Sequence, residues 1–335
     1  MSRLRAFAKG ASIAGVATVA IGGAAYAAEK YALSRLRRTA DPEPENVLSR
    51  LTYCEHSIPS FDAGTINFVD IGPRDARITM VLSHGVTLSM RTWVRQFDAL
   101  RGAGFRVIAF DHRGHGRSRL GTTGHSVASI GDDIATLLRE LELRNVVLVG
   151  HSMGGIAAQS YIARHRDDAD DRLSGLVLLS TLPSALSGSQ AARFGQLIER
   201  ITRRTPDSTR LWANPQIGIL LARFGFGRDP VASQVELVRQ MMHACSKATR
   251  VQGPRSIIGF NLVSELSKIK VPTLVIGGTA DVITPPSDSI RMHMAIPHAR
   301  IEMLDGGGHM LMLERAETVN QLLIDFADGL PESDT

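Results

Sequence analysis

The feature that most constrains the fold is a series of short, almost wholly apolar segments that alternate with helical patterns. The segments at 146–149 (VVLV), 176–179 (LVLL) and 273–276 (TLVI) have no polar face. Strands have this character when helices cover both faces of a parallel sheet. Because helix-patterned residues lie between these strands, the order predicts an α/β fold with a doubly wound, mostly parallel sheet.

The same patterns place the individual elements. Apolar runs that are continuous or of period two predict strands at 65–71, 78–83, 106–110, 146–149, 176–179, 273–276 and 300–304. Apolar side chains at helical spacing predict helices at 129–141, 152–165 and 318–327. In such sheets ligands lie beyond the carboxyl ends of the strands. Residues that directly follow a strand are therefore the candidates for chemistry.

The alternation stops between residues 183 and 262. This stretch of 80 residues has a helical pattern and is rich in large apolar side chains, namely Phe194, Trp212, Phe224, Phe226, Met241, Met242 and Phe260. A connection of this length between two strands predicts an inserted helical lid rather than a loop. The α/β core is accordingly expected at residues 51–182 and 263–335.

Residues 10–28 are an uncharged segment of 19 residues. As a helix it would be about 28 Å long, close to the ~30 Å hydrocarbon core of a bilayer. With basic residues on both sides, it predicts that residues 1–38 are an apolar helix that anchors the chain to a membrane. The A-x-A sequence at 25–27 fits a cleaved signal peptide and a secreted protein instead. A soluble helix is the third interpretation, and residues 39–50 are expected to be a proline-containing linker.

The positive charge of the chain is confined to its N-terminus. The first 40 residues hold seven Lys or Arg and one Glu, which leaves 31 basic and 32 acidic residues in the remainder. The net charge of +5 therefore gives no support to a nucleic-acid partner. Two cysteines, Cys54 and Cys245, are too few for a disulfide scaffold or a multi-cysteine zinc site. We expect them to be unpaired, with a single bridge between them as the alternative.

Residues 150–154 read GHSMG, directly after one predicted strand and before a helix. This is the G-x-S-x-G pattern in the strand–turn–helix setting that gives it meaning. Side chains at Gly150 and Gly154 would collide across so sharp a turn. Ser152 is thereby presented at a helix N-terminus, where developing negative charge is favoured. The pattern predicts Ser152 as a nucleophile.

A serine nucleophile needs a base, and the base needs an orienting carboxylate. His309 follows the strand at 300–304 in a glycine-rich loop, and Asp281 follows the strand at 273–276. Asp305 lies in the same loop as His309 and is the weaker candidate for the acid. We interpret the remaining histidines near the site as parts of turn motifs, namely His84, His112, His115 and His151. The order Ser152, Asp281, His309 is typical of one hydrolase class.

An oxyanion hole requires two backbone N–H donors. One is expected from Met153, the residue after the nucleophile. The other is expected from Val86, in the loop after the strand at 78–83, where Gly85 would let the backbone turn.

Together these motifs resemble the α/β-hydrolase superfamily over residues 53–330. The resemblance rests on H84-G-x-x-x-S-x-x-x-W93, on the run FDHRGHGRS at 110–118, on the nucleophile turn, on the acid loop at 278–286 and on Gly308-His309. It implies a structural, not catalytic, role for the loop at 111–118. Lid-bearing esterases and monoacylglycerol-lipase-like members are the most similar. The HGGG oxyanion motif is absent, and a serine nucleophile disfavours dehalogenase and epoxide-hydrolase chemistry.

No metal or cofactor is predicted. The sequence contains no His-Glu-x-x-His, no ligand cluster completes a shell around His112 and His115, and no phosphate-binding Gly-Lys-Ser/Thr follows a strand. The expected function is hydrolysis of carboxylic esters, hydrophobic or lipid-like, through an acyl-enzyme. Thioesterase, amidase, carbon–carbon hydrolase, haloperoxidase-like and acyltransferase activities use the same triad and stay open, as does a non-catalytic membrane-held binding domain. Oligomeric state is not predicted.

Overall fold

A computed structural model describes residues 53–185 and 215–331, together with Ser34, Ala40 and Asp41. Eight strands form one sheet in the order β1-β2-β4-β3-β5-β6-β7-β8. Their bounds are β1 Glu55–Pro59, β2 Thr65–Ile71, β3 Thr79–Ser83, β4 Arg106–Phe110, β5 Val146–His151, β6 Leu173–Leu179, β7 Thr273–Gly278 and β8 Arg300–Leu304. Strands β3 to β8 pair in parallel, and β1 and β2 add an antiparallel edge. The doubly wound, mostly parallel sheet predicted from the sequence is confirmed.

Helices cover both faces of this sheet. Those described are α1 Val94–Gly102, α2 Val127–Glu140, α3 Met153–Arg164, α4 Arg166–Arg172, α5 Pro215–Arg223, α6 Ala232–Ala244, α7 Lys247–Ser256, α8 Val263–Leu266, α9 Pro286–Ala295, α10 Leu311–Glu314 and α11 Ala316–Asp328. All seven predicted strands and all three predicted helices are present, with ends shifted by up to three residues.

The two cores explain why the central strands lack a polar face. In β5, Val147 and Val149 join the apolar cluster that contains α1 and α11. Val146 and Leu148 point the other way, into the cluster that contains α2, α3 and α9. Successive side chains of a strand alternate between faces, so a strand buried on both faces is apolar throughout. This packing brings the ends of β5, β7 and β8 to the same edge of the sheet.

One strand was not predicted. Among the described strands, β1 (EHSIP) pairs only with β2, and it carries several exposed side chains. An edge strand of this kind has little apolar surface to bury, and so its sequence lacks the pattern by which the other strands are identified.

The insertion between β6 and β7 leaves and rejoins the core at one place. The Ala185 amide donates to the Phe260 carbonyl, and the Leu262 amide donates to the Pro183 carbonyl. The described part of the insertion contains α5, α6 and α7, of which α5 packs against α6. Residues 186–214, and with them Phe194 and Trp212, lie outside the described residues.

The apolar segment at 10–28 also lies outside the described residues. Among the residues that the structure does describe, no helix combines the length and the apolar character needed to cross a membrane. Cys54 is an exposed free thiol and Cys245 a buried one, so the expectation that they are unpaired is confirmed.

Candidate active site

Ser152 occupies the turn between β5 and α3 in a conformation that is unusual for a serine. Its backbone angles are φ 53° and ψ −119°. Non-glycine residues seldom adopt positive φ, and such strain persists only where the surroundings enforce it. The surroundings here are the end of β6. The Ser152 amide donates to the Leu179 carbonyl (3.1 Å), and the Thr181 hydroxyl donates to the Ser152 carbonyl (2.7 Å).

Glycines make the turn sterically feasible. A Cβ atom at Gly154 would lie under 3.0 Å from the Ser83 carbonyl of β3, and one at Gly150 would lie under 3.0 Å from the backbone of Gly155. The collisions expected from the sequence pattern are therefore real. The spacing of these two glycines is a consequence of how closely α3 begins against β3 and β5.

His309 and Asp281 are in direct contact and both are buried. His309 Nδ1 lies 2.9 Å from Asp281 Oδ2. The Thr284 hydroxyl donates to the same oxygen (2.6 Å), while the amides of Ile283 and Thr284 donate to Oδ1 (2.8 and 2.9 Å). Burial raises the pKa of Asp281, but the facing His309 and the Thr284 hydrogen bonds outweigh it, so the pKa is lower than usual. The carboxylate is charged, and Nδ1 is therefore the ring nitrogen that donates.

Asp305 is placed elsewhere. Its carboxylate is exposed, accepts a hydrogen bond from the Thr279 hydroxyl (3.0 Å) and lies 3.3 Å from Arg228 Nη1. The structure brings Asp281 to His309, and not Asp305, although Asp305 is much nearer in sequence.

The nucleophile turn and the histidine loop meet through His151. Its Nε2 lies 2.9 Å from the His309 carbonyl, and the two rings have centroids 4.8 Å apart. Burial lowers the pKa of His151 far below its ordinary value, so the ring is neutral and donates to that carbonyl. No hydrogen bond joins Ser152 Oγ to the His309 ring among the described residues. In substrate-free enzymes this contact is often long and tightens when substrate binds.

The backbone amides of Val86 and Met153, expected to form the oxyanion hole, have no hydrogen-bond acceptor among the described residues. Met153 is the first residue of α3, where N–H groups have no intrahelical partner. The chain turns after Gly85, where the Leu88 amide donates to the Gly85 carbonyl (3.3 Å), and the left-handed residue of that turn is Thr87 (φ 60°). Gly85 also makes room for a neighbour, because a Cβ there would approach His151 Nδ1 to 2.9 Å.

Comparison with known proteins identifies the family. A sequence profile of the alpha/beta hydrolase fold matches residues 78–316. The chain belongs to the α/β-hydrolase fold family. A non-heme chloroperoxidase of Streptomyces lividans is 30% identical over 277 residues, which cover 81% of this chain and 98% of that protein.

Further relatives include enzymes named as esterases. A bifunctional esterase/perhydrolase of Acinetobacter calcoaceticus is 29% identical and is matched over 96% of its length, covering 79% of this chain. The solved structure of an esterase from Exiguobacterium antarcticum has a TM-score of 0.73 at 23% identity, over 82% of this chain and 99% of that one. The hydrolase fold and the assignment as an enzyme are thereby established.

Within this hydrolase, a cluster of neutral histidines supports the Val86 loop. The rings of His84 and His112 stack with centroids 4.0 Å apart, and the Thr87 amide donates to His115 Nε2 (3.1 Å). Burial lowers the pKa of His84 to about 3 and holds those of His112 and His115 far below the ordinary value. The described residues contain no group of three or more ligands suited to a metal ion.

Sequence reasoning missed the residues that hold the site together. Thr284 and His151 both touch the machinery, but neither occupies a motif position whose role spacing alone reveals. Asp111 was expected to be structural. Its carboxylate accepts hydrogen bonds from the amides of Met90 (2.9 Å) and Arg117 (3.0 Å). Asp111 therefore connects the 111–118 loop to the backbone at residue 90.

Proposed function

We propose that this enzyme hydrolyses carboxylic esters through an acyl-enzyme formed on Ser152. The observation that carries the proposal is the convergence of a strained, glycine-flanked serine with a buried Asp281–His309 pair at one edge of the sheet. Strained serines and buried charged carboxylates are costly to maintain. Their occurrence side by side supports nucleophilic catalysis rather than a binding role.

In the proposed mechanism, His309 Nε2 takes the Ser152 proton as Oγ attacks the ester carbonyl carbon. The Val86 and Met153 amides stabilise the oxyanion of the tetrahedral intermediate. Asp281 holds the ring in the tautomer that leaves Nε2 free and stabilises the imidazolium that forms. His309 then gives its proton to the departing alcohol. Water, deprotonated by the same ring, attacks the acyl carbon. The bond between the acyl carbon and Ser152 Oγ then breaks, His309 returns the proton to Oγ, and the acid is released.

A fluorophosphonate probe tests this proposal. The probe phosphonylates a serine only when a base activates it, so the wild-type chain should be labelled and Ser152→Ala should not. Ser287→Ala is the matched control, because Ser287 is exposed on α9, and its labelling should equal that of the wild type. Labelling of Ser152→Ala at the wild-type rate would overturn the assignment of the nucleophile.

A second candidate is perhydrolysis, in which hydrogen peroxide replaces water in the second step and a peracid is released. The names of the chloroperoxidase and esterase/perhydrolase relatives favour it. A competition between the two acceptors decides. We would measure peracid and free acid from one ester at increasing peroxide; an unchanged yield of free acid would exclude perhydrolysis.

For the substrate we propose hydrophobic or lipid-like esters, with residues 183–262 as a lid and residues 1–38 as a membrane anchor. The apolar character of both segments supports this. The linker that follows the proposed anchor contacts the insertion, because the Asp41 carboxylate accepts hydrogen bonds from the amide (2.8 Å) and hydroxyl (2.9 Å) of Ser233 on α6. Residue 41 therefore lies against the insertion, and the proposed anchor directly precedes the linker that contains it.

Fractionation of the native protein tests the anchor. An anchored chain should stay with membranes through a high-salt wash, since salt screens only the electrostatic part of binding. The mass of its N-terminus separates the alternatives. A chain beginning near Ala28 would show signal cleavage, and an intact chain in the soluble fraction would contradict both targeting interpretations.

A further inference from the structure

Glu314 is a partly buried carboxylate that accepts backbone hydrogen bonds from two segments that are far apart from each other in the sequence. Its Oε2 accepts from the Gly227 amide of the insertion at 2.7 Å. The Gly308 amide donates to both oxygens at 3.1 Å, and the Met310 amide donates to Oε1 at 3.1 Å. Three donors thus converge on one carboxylate, and two of them belong to the residues on either side of His309.

The amide of His309 itself is held by the insertion. It donates to the Gly225 carbonyl at 2.8 Å, and the Met310 amide shares that acceptor at 3.1 Å. The amides of residues 308, 309 and 310 are therefore all bonded, and every acceptor is either Glu314 or Gly225. No acceptor for them comes from the sheet that presents His309.

The two segments also fit without space for side chains. A Cβ atom at Gly227 or at Gly308 would lie under 3.0 Å from the backbone of the opposite segment. Between them, the Arg228 amide donates to the Gly306 carbonyl at 3.0 Å. Phe226 is buried in the same apolar cluster as Met310, and so the turn at 225–228 is fastened to the core as well.

This arrangement answers a requirement of the histidine loop. The loop reads Gly306-Gly307-Gly308-His309, and glycines lose more conformational freedom on ordering than other residues. A catalytic ring must nonetheless be held to within a fraction of an ångström, because misplacement by about 1 Å can cost 10²-fold in rate. Several hydrogen bonds restrict the loop, among them one from the Ala280 amide to the Gly307 carbonyl (2.9 Å) and those that the Glu314 carboxylate accepts.

Retaining a carboxylate at this position has a cost. Burial raises the pKa of Glu314, although its three amide donors act in the opposite direction. A desolvated charge destabilises a fold unless its hydrogen bonds compensate. A side chain that served only to fill space here would be apolar.

We infer that Glu314 is a positioning residue for His309, and that it does so by clamping the histidine loop to the 225–228 turn of the insertion. The inference rests on the proposed function, in which His309 is the base. Glu314 contacts neither substrate nor the reacting atoms. It acts on the backbone that carries the ring.

Glu314→Gln tests the inference. Glutamine replaces one carboxylate oxygen by an NH2 group, which cannot accept a hydrogen bond. Because only N–H donors face this side chain, at least one bond of the clamp is lost in either orientation of the amide. With a short, water-soluble ester we expect kcat to fall roughly 10- to 100-fold, with KM little changed, because the short ester does not reach the clamp. Glu317→Gln, exposed on α11, is the matched control.

Glu314→Asp keeps the charge on a shorter stem and should recover part of kcat, as a merely space-filling role would not predict. If Glu314→Gln does not fold, Glu314→Asp carries the test with the same expected split between kcat and KM. Wild-type kcat in Glu314→Gln, or in Glu314→Asp where only that variant folds, would overturn the inference.

A measurement without substrate separates this inference from the proposed function. The proton on His309 Nδ1, bonded to Asp281, should give a low-field NMR signal that Asp281→Asn removes. In Glu314→Gln we expect this signal to shift or broaden, whether or not any ester is hydrolysed. An unchanged signal in that variant would reject Glu314 as a positioning residue, and a wild-type chain that hydrolyses no ester would reject the proposed function alone.

Discussion

The nucleophile turn contains Ser152, and the histidine loop contains His309. Different contacts stabilise the backbone of each. The turn is shaped by residues adjacent in sequence, since Gly150 and Gly154 make room and the helix begins at Met153. The loop depends in part on the distant insertion, since Gly225 accepts the His309 amide and Glu314, close to the loop in sequence, bridges it to Gly227. A local device can be recognised in a sequence, whereas a device assembled from distant segments cannot.

The largest expected effect follows from the partner of the histidine ring. Asp281→Asn replaces an acceptor by a group that can donate to Nδ1, which favours the wrong tautomer, and turnover should fall by up to ~10⁴-fold. Steady-state kinetics on a short ester provide the measurement. Asp305→Asn is the control and should stay within about twofold, because Asp305 is exposed and does not touch His309. The reverse order of effects would show that the acid is misassigned.

A smaller effect is expected one contact further from the ring. Thr284→Val removes the hydroxyl that donates to Asp281 Oδ2 but leaves the Thr284 amide in place. A hydrogen bond to a charged group is worth about 1.5–3 kcal/mol, so we expect kcat to fall roughly tenfold with little change in KM. Thr284→Ser restores the hydroxyl and should recover most of kcat. Equal kcat in the valine and serine variants would contradict a role for this hydroxyl.

The contrast also explains what sequence analysis reached. Continuous apolar runs identify β5, β6 and β7 because those strands are buried on both faces, while the half-exposed β1 carries no such signal. The pairing of Asp281 with His309 was expected because each of these residues comes shortly after the end of a strand. Glu314 bonds Gly227, 87 residues earlier in the chain, and no local pattern encodes a contact of that range.

Gly85 illustrates a role that the sequence did not reveal. The sequence predicted a turn at this glycine, and the structure adds that a Cβ there would approach the His151 ring, while the left-handed backbone belongs to Thr87. Sequence patterns indicate that a glycine matters, but the reason depends on which side chain approaches it in space.

Histidines near the Val86 loop should make the free energy of unfolding depend on pH. The ring centroids of His125 and His115 are 5.3 Å apart, so His125 belongs to the histidine cluster beside the Val86 loop. Burial lowers the pKa of His125 to about 4 and that of His84 to about 3. The unfolded chain binds protons on these residues near pH 6.5 and the folded chain does not, so the free energy of unfolding falls as the pH drops below about 6.5. Each such histidine contributes about 1.4 kcal/mol between pH 7.5 and 5.5. The raised pKa of Asp111 acts in the opposite sense.

A single histidine isolates this effect. In His125→Asn the difference in unfolding free energy between pH 7.5 and 5.5, measured by urea denaturation, should shrink by about 1.4 kcal/mol. His298→Asn is the control, because His298 is exposed, and it should leave the difference unchanged. An unaltered difference in the His125 variant would mean that the buried ring is not the source of the acid sensitivity.

The smallest expected effect distinguishes two neighbouring aromatics of the insertion. Phe224 and Phe226 are both among the apolar residues of the predicted lid, but Phe226 is only 4% exposed and belongs to the same apolar cluster as Met310, whereas Phe224 is 50% exposed. Phe226→Ala should therefore lower stability by about 3–5 kcal/mol and disturb the histidine loop. Phe224→Ala should leave stability almost unchanged.

The effect of Phe224→Ala is expected in selectivity instead. Burial of one methylene is worth about 0.8 kcal/mol, so losing one or two such contacts with a long acyl chain should reduce kcat/KM for long esters by about three- to tenfold. The rate on a short ester should not change, since that substrate ends before it reaches the insertion. The measurement is kcat/KM across a series of acyl-chain lengths. An equal fall of kcat/KM for short and long esters would mean that Phe224 contributes to folding rather than to substrate binding. Unchanged kcat/KM values across the series would mean that the acyl chain does not contact Phe224.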